Sequence, residues 1–180
     1  MPGRHVAAPA RRRRGCSHRP SARAGCPERL IGLLRRCGAP FVFEHHPRAA
    51  YTGQQLAAVA HVPGDQLAKV VLVVADERLA MLALPASRQV DPDGARALLG
   101  ARSVRLATEP ELAAAFPDCE VGAMPPFGGL YGLPLYLDPA LGRSGSVVFA
   151  AGTHRDTVRM GFRDFAGLAR PTIGYFSYHV

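Results

Sequence analysis

The chain has 180 residues, 48% of them hydrophobic, a length and composition that suit one globular domain and exclude a wholly disordered chain. Its formal charge of +8 is concentrated: residues 1–27 hold seven arginines and no acid, while the remainder sets 15 basic against 14 acidic residues. The longest uncharged run, Val121 to Leu137, is interrupted by glycines and prolines, so no membrane-spanning helix is expected.

In chain order, "MPGRHVAAPARRRRGCSHRPSARAGCP" has too few large apolar residues to build a core, which predicts a disordered arginine-rich tail over 1–27 and a folded domain over 28–180. The tail lacks the apolar run of a secretory or twin-arginine signal. Non-specific RNA contact, sequence upstream of the true start, and an inert extension all fit it. The four cysteines, Cys16, Cys26, Cys37 and Cys119, form no C-x-x-C pair, and without a secretory signal they are expected as free thiols in the cytoplasm. "PERLIGLLRRCG" places Leu30, Leu33 and Leu34 on one helical face, and "FVFEHH" reads as a short strand. "YTGQQLAAVAHV" opens with Thr52 and has Gln55 three residues on, the capping-box spacing of a helix start. Strands follow at Lys69 to Ala75 and Leu79 to Leu84, joined by the turn "DER". "DPDGARALLG" is a helix after an Asp cap, "VRLA" a strand, and "TEPELAAAF" a helix capped by Thr108 with Glu111. Strands are then expected at "LPLYLD", "SVVFAAG" and "TVRMGF", and a short helix at "RDFAGLA" precedes an irregular C-terminus. Hairpin-length links stand beside crossovers, which predicts a mixed α/β fold of the α+β type, with a mixed sheet flanked by helices.

Chemistry-bearing residues are few. Lys69 is the only lysine among 22 basic residues, at the head of an apolar strand. It is either a strand-edge cation with its stem on apolar surface or a group chosen for the compact, titratable charge that arginine lacks. His45 and His46 are adjacent, so on a strand they face opposite ways and cannot share a metal. No H-x-x-x-H, G-x-S-x-G, Walker A or G-x-G-x-x-G occurs, and neither metal nor cofactor is expected. Nothing near Cys119 marks an activating base. "CEVGAMPPFGG" combines stiff prolines with glycines, a loop suited to walling a small ligand and offering backbone N–H groups, or to a plain turn. "AAGTHRD" leaves Thr153 and His154 at a strand end.

The ordered set "HHPRAAYTGQQLA", "LAKVVLV", "VGAMPPFG", "LYLD" and "AAGTHRD" resembles the YbaK/EbsC family, related to the editing domain of bacterial prolyl-tRNA synthetase, over about Glu28 to Arg170. The resemblance implies a partly barrel-like mixed sheet and hydrolysis of the ester joining a wrong amino acid to a tRNA's terminal ribose. It implies that Lys69 is functionally required and that the G-x-x-x-P-type loop, Gly122, Ala123, Met124, Pro125, Pro126, Phe127 and Gly128, shapes the amino-acid pocket. Thr52, Asp138, Gly152, Thr153 and His154 would line the same site. Gln55 stands where Glu is commoner in that family.

An aminoacyl ester is already activated, so positioning water and stabilising negative charge suffice, with no Ser or Cys nucleophile and no metal. The expectation is therefore a cytoplasmic aminoacyl-tRNA deacylase that edits mischarged tRNA in trans. It would meet the acceptor end, and a synthetase would be a further partner; no membrane is involved. Small amino acids such as alanine, serine, threonine or cysteine would fit behind Ala123 and Met124. The alternatives are a non-catalytic domain binding an aminoacylated end or a nucleotide, and an RNA-binding protein acting through its tail.

Overall fold

The computed structural model describes residues 25–179. The first helix, α1 (Cys26–Arg36), carries Glu28 in its first turn and Arg35 and Arg36 in its last, matching the helix dipole, and buries Cys26, Leu30, Leu33 and Leu34. Cys26 and Pro27 thus belong to the folded unit rather than to the tail, whose other arginine-rich positions lie outside the described residues. Strand β1 (Phe41–His45) leads to α2 (Gly53–Val59), where the Thr52 hydroxyl accepts the Gln55 N–H at 3.2 Å as its spacing predicted.

The long strands β2 (Leu67–Ala75) and β3 (Arg78–Pro85) form a hairpin whose turn residues, Asp76 and Glu77, have φ of 44° and 70°. The Asp76 carboxylate offsets that strain by accepting the backbone N–H groups of Arg102 and Ser103. Next come β4 (Arg88–Val90), α3 (Pro92–Leu99) capped by Asp91, β5 (Val104–Leu106), and α4 (Glu109–Ala115) with its Thr108–Glu111 capping box. The remaining elements are β6 (Leu135–Leu137), β7 (Ser146–Ala150), β8 (Asp156–Gly161), α5 (Phe162–Ala169), β9 (Thr172–Ile173) and β10 (Ser177–His179). The C-terminus expected to be irregular is therefore partly stranded: β9 adds to β6 and β10 to β4.

The sheet runs β1-β8-β7-β2-β3-β6-β9, with β5 also on β2. Pairs β2–β7, β3–β6 and β6–β9 are parallel and the others antiparallel, the mixed sheet with flanking helices that the element order predicts. Strand β2 changes partner along its length. Leu67 and Ala68 pair with β7, whereas Val73 to Ala75 pair with β5. The sheet forks between them, and Lys69 is the first residue past the β7 pairing.

The strand's two faces have separate fates, as the period of two requires. Ala68 and Leu72 enter the main core with Phe127, Phe149 and Phe165. On the other face Leu67 joins an alanine-rich cluster under α2, and Val73 joins one around Leu82, Leu84 and Phe176. Lys69 interrupts that face between the two clusters.

Cys26 and Cys119, expected as free thiols, are joined in a disulfide with Cα atoms 5.2 Å apart. The approach is made by long-range contacts: the Cys26 N–H donates to the Asp118 carbonyl at 3.1 Å, and Arg29 pairs with the Asp118 carboxylate at 2.8 Å.

Candidate active site at the fork of the sheet

Lys69 forms the floor of a pocket of about 40 Å³ whose lining includes Tyr51, Thr52, Gly122, Ala123, Thr153 and His154. That space is on the order of three water molecules. Its walls come from three segments. One is the turn into α2, where Gly53 packs directly on the lysine stem: a Cβ there would lie 3.3 Å from the Lys69 Cβ and 3.1 Å from that of Ala86. The others are the loop after α4 and the turn after β7, which are laced together. The Glu120 N–H donates to the Gly152 carbonyl at 2.8 Å, the Gly152 N–H to Ala123 at 2.9 Å, and the His154 N–H to the Glu120 carboxylate at 2.6 Å. Gly122 and Gly152 have φ of 90° and 104°, conformations that exact glycine at both bends.

Ala50 and His154 close the ring. The Ala50 N–H donates to the His154 carbonyl at 2.8 Å, and His154 Nδ1 lies 3.1 Å from the Ala50 carbonyl. A carbonyl only accepts, so Nδ1 is the protonated nitrogen, and Nε2 lies 4.0 Å from the Glu120 carboxylate.

The pocket holds one cation and no carboxylate among its lining residues. Lys69 makes no ion pair among the described residues, and burial alone holds its ammonium pKa below the ordinary lysine value. A half-buried unpaired ammonium in a site walled by alanines favours an incoming anion or a developing negative charge.

The remaining donors divide into free and committed. The Thr52 hydroxyl accepts from Gln55 and keeps its own proton available. The Thr153 hydroxyl spends its proton on Asp156 at 2.5 Å. The loop amides expected to assist are also engaged: Gly122 N–H meets Met124 Sδ at 3.2 Å and Ala123 N–H donates to the Glu120 carbonyl at 2.9 Å. Lys69 is the one lysine or arginine among the residues that line this pocket, and of its two threonines only Thr52 keeps an uncommitted hydroxyl proton.

Thr52, Lys69, Gly122, Ala123, Thr153 and His154 are thus brought together, and Gly152 stands behind them against Cys26. Met124, Pro125, Pro126, Phe127 and Gly128 are buried and do not line this pocket; Met124 and Phe127 anchor the loop in the main core. Asp138 is also elsewhere. It follows β6, two strands from Lys69, and accepts the Ala140 N–H at 2.9 Å and the Ser177 hydroxyl at 2.6 Å, tying β10 to the sheet. His45 and His46 point apart: His45 meets Asp156 at 2.7 Å, and buried His46 meets Thr157 at 2.8 Å. Among the described residues the grouping Cys26, Asp118 and Cys119 has ligand types, but its sulfurs are spent in the disulfide.

Sequence reading missed Ala50, Tyr51, Gly53, Leu56 and Ala150 as lining residues. The Tyr-Thr-Gly step before α2 was the available signal: a glycine directly after a cap residue marks close backbone approach.

The overall fold is shared with solved structures. A hypothetical protein, APE2540, superposes with a TM-score of 0.75 at 17% identity, covering 83% of this chain and 99% of its own. A protein provisionally described as a trans-editing enzyme for prolyl tRNA synthetase gives 0.74 at 22% identity, covering 86% and 98%. These likenesses define the fold class. The sequence model of the aminoacyl-tRNA editing domain matches residues 46–168, and the chain belongs to that family. No curated protein sequence matches it. No helix among the described residues is long and apolar enough to cross a membrane.

Proposed function

We propose that this chain hydrolyses the ester linking a small, wrongly attached amino acid to the terminal ribose of a tRNA, acting in trans. The observation that supports it most is the unpaired, half-buried Lys69 at the floor of a carboxylate-free pocket walled by Ala50, Ala123 and Ala150. Water adds to the ester carbonyl carbon, and the developing oxyanion is drawn to the Lys69 ammonium. The C–O bond to the ribose then breaks, the ribose oxygen takes up a proton, and free amino acid and intact tRNA leave. Thr52 can donate to the substrate and His154 Nε2 can accept from the attacking water or the α-amino group. The small volume suits alanine- or serine-sized side chains. One methylene gives a synthetase only about 1–3 kcal/mol of discrimination, so a second sieve for such residues has a purpose.

The test is a deacylation screen over tRNAs charged with amino acids of graded size. At least one small mischarged substrate should be hydrolysed. Lys69→Ala should fold normally by circular dichroism yet lose on the order of 100- to 1000-fold in rate, as deletion of a charge-stabilising donor does. Lys69→Arg keeps the charge but displaces it by about 1 Å, enough to cost on the order of 100-fold. Full activity in Lys69→Arg would return Lys69 to a strand-edge role.

A further inference from the structure

Lys69 borders a second concavity. From its position on β2, Val71 and Val73 continue along the same face, and with Gln89, Val104 and Leu106 they line a groove of about 340 Å³. Its walls are chiefly apolar. At its rim the Arg105 guanidinium is held by both Glu111 oxygens at 2.8 and 2.7 Å, which neutralises the charge a phosphate would seek. Leu106, paired with Val73 on β2, is left 65% exposed.

We propose that this groove receives the adenine at the 3′ end of the tRNA while the aminoacyl group crosses Lys69 into the small pocket, an inference that rests on the editing reading above. The substrate's geometry supports it. The ester and the base hang from one ribose, so they lie no farther apart than the width of that ring. The 40 Å³ pocket cannot hold a nucleoside, and the 340 Å³ groove, which shares Lys69 with it, falls within the usual size of ligand sites, about 300–1,000 Å³. A base has two apolar faces for the valines and Leu106, and an edge that needs hydrogen bonds. Gln89 offers a donor there: its Oε1 accepts the Tyr178 hydroxyl at 2.9 Å, and its amide N–H2 makes no hydrogen bond among the described residues. The other surface within reach is Tyr51, 71% exposed and tilted against His154 at 4.6 Å.

The experiment measures binding of the uncharged trinucleotide CCA by calorimetry, and kcat/KM for alanyl-adenosine against alanine methyl ester, which has no base. Leu106→Ser should weaken CCA about 10-fold, in keeping with the removal of one base contact. The preference for alanyl-adenosine over the methyl ester should fall by a similar factor. Leu106 is exposed, so folding should survive, and Gln89→Leu provides a second variant that keeps the bulk and removes the donor. Unchanged CCA affinity in both variants overturns the proposal, as does failure of the parent protein to bind CCA. A loss confined to Tyr51→Ala also overturns it and places the base at the pocket's lip. If CCA binding depends on Leu106 but no mischarged tRNA is hydrolysed, the editing reading fails and the groove stands as a base site.

Discussion

At the scale of a residue, Lys69 combines a functional gain with a structural cost. Its ammonium sits on a face of β2 that is otherwise Leu67, Val71 and Val73, and burial lowers its pKa from 10.5. Between that lowered value and 10.5 the unfolded chain binds more protons than the folded one, so stability should rise with pH across this window. Below the window the buried charge is a constant penalty. Lys69→Met keeps the unbranched stem and removes the charge, so it should melt at a higher temperature than the parent at pH 7. The gap should close as the pH passes 10.5. Activity has the opposite dependence. After subtraction of spontaneous ester hydrolysis, the rate should fall on an alkaline limb lying below pH 10.5, as the ammonium deprotonates. Melting curves and a pH–rate profile on one mischarged tRNA check both statements, and a Lys69→Met protein that melts lower than the parent would refute the first.

At the scale of elements, the pocket depends on how closely three segments approach. Helix α2 can lie on β2 only because Gly53 has no side chain between Ala86 and the lysine stem. Alanine is ordinarily the better helix former. Gly53→Ala should nevertheless reduce activity on the order of 10- to 100-fold, because displacing Lys69 by a few tenths of an ångström to 1 Å degrades the geometry of attack. Stability should fall by about 1–3 kcal/mol, since the two nearest atoms are Cβ atoms fixed to the backbone and yield only if strand or helix moves. A chemical-denaturation curve beside the rate separates these effects. The Cys26–Cys119 disulfide fastens α1 to the loop that leads into Gly122 and Ala123. It closes a sequence separation of 93 residues, so reduction should cost about 2–5 kcal/mol. Denaturation of the parent beside Cys119→Ser measures that contribution, and identical midpoints would refute it.

At the scale of the whole molecule, the excess positive charge is concentrated at one end of the chain. The structure describes residues 25–179, and the seven arginines of the N-terminal segment all precede them. Deleting residues 1–24 should leave the hydrolysis of alanyl-adenosine intact. Where those arginines meet tRNA phosphates, the log–log salt dependence of tRNA binding should flatten by about 0.7–0.9 for each phosphate no longer neutralised. Deleting residues 1–27 is a different experiment. It removes fully buried Cys26 and the first turn of α1, and the melting temperature should drop. Two truncations that melt alike would show that α1 begins too late for Cys26 to matter.

The elements legible in the sequence are those whose stabilising contacts are local. Thr52 and Gln55 announced α2, Thr108 and Glu111 announced α4, and the apolar stretches of β2 and β3 announced the central hairpin, because each involves partners a few residues apart. Lys69 stood out by chemistry, as the single lysine in an arginine-rich chain. Strands β4, β9 and β10 were not legible: two or three residues show no alternation, and they are strands only through pairing with distant segments. The loop 122–128 was read as one pocket wall, yet only its first two residues line the pocket while Met124 and Phe127 turn into the core. Nothing in the spacing of the cysteines joined Cys26 to Cys119, and nothing in β2 shows where β7 leaves it and β5 takes over. Those outcomes depend on sheet register and on hydrogen bonds across many tens of residues, so tertiary packing alone placed Lys69 at a fork, with a small pocket on one side and an apolar groove on the other.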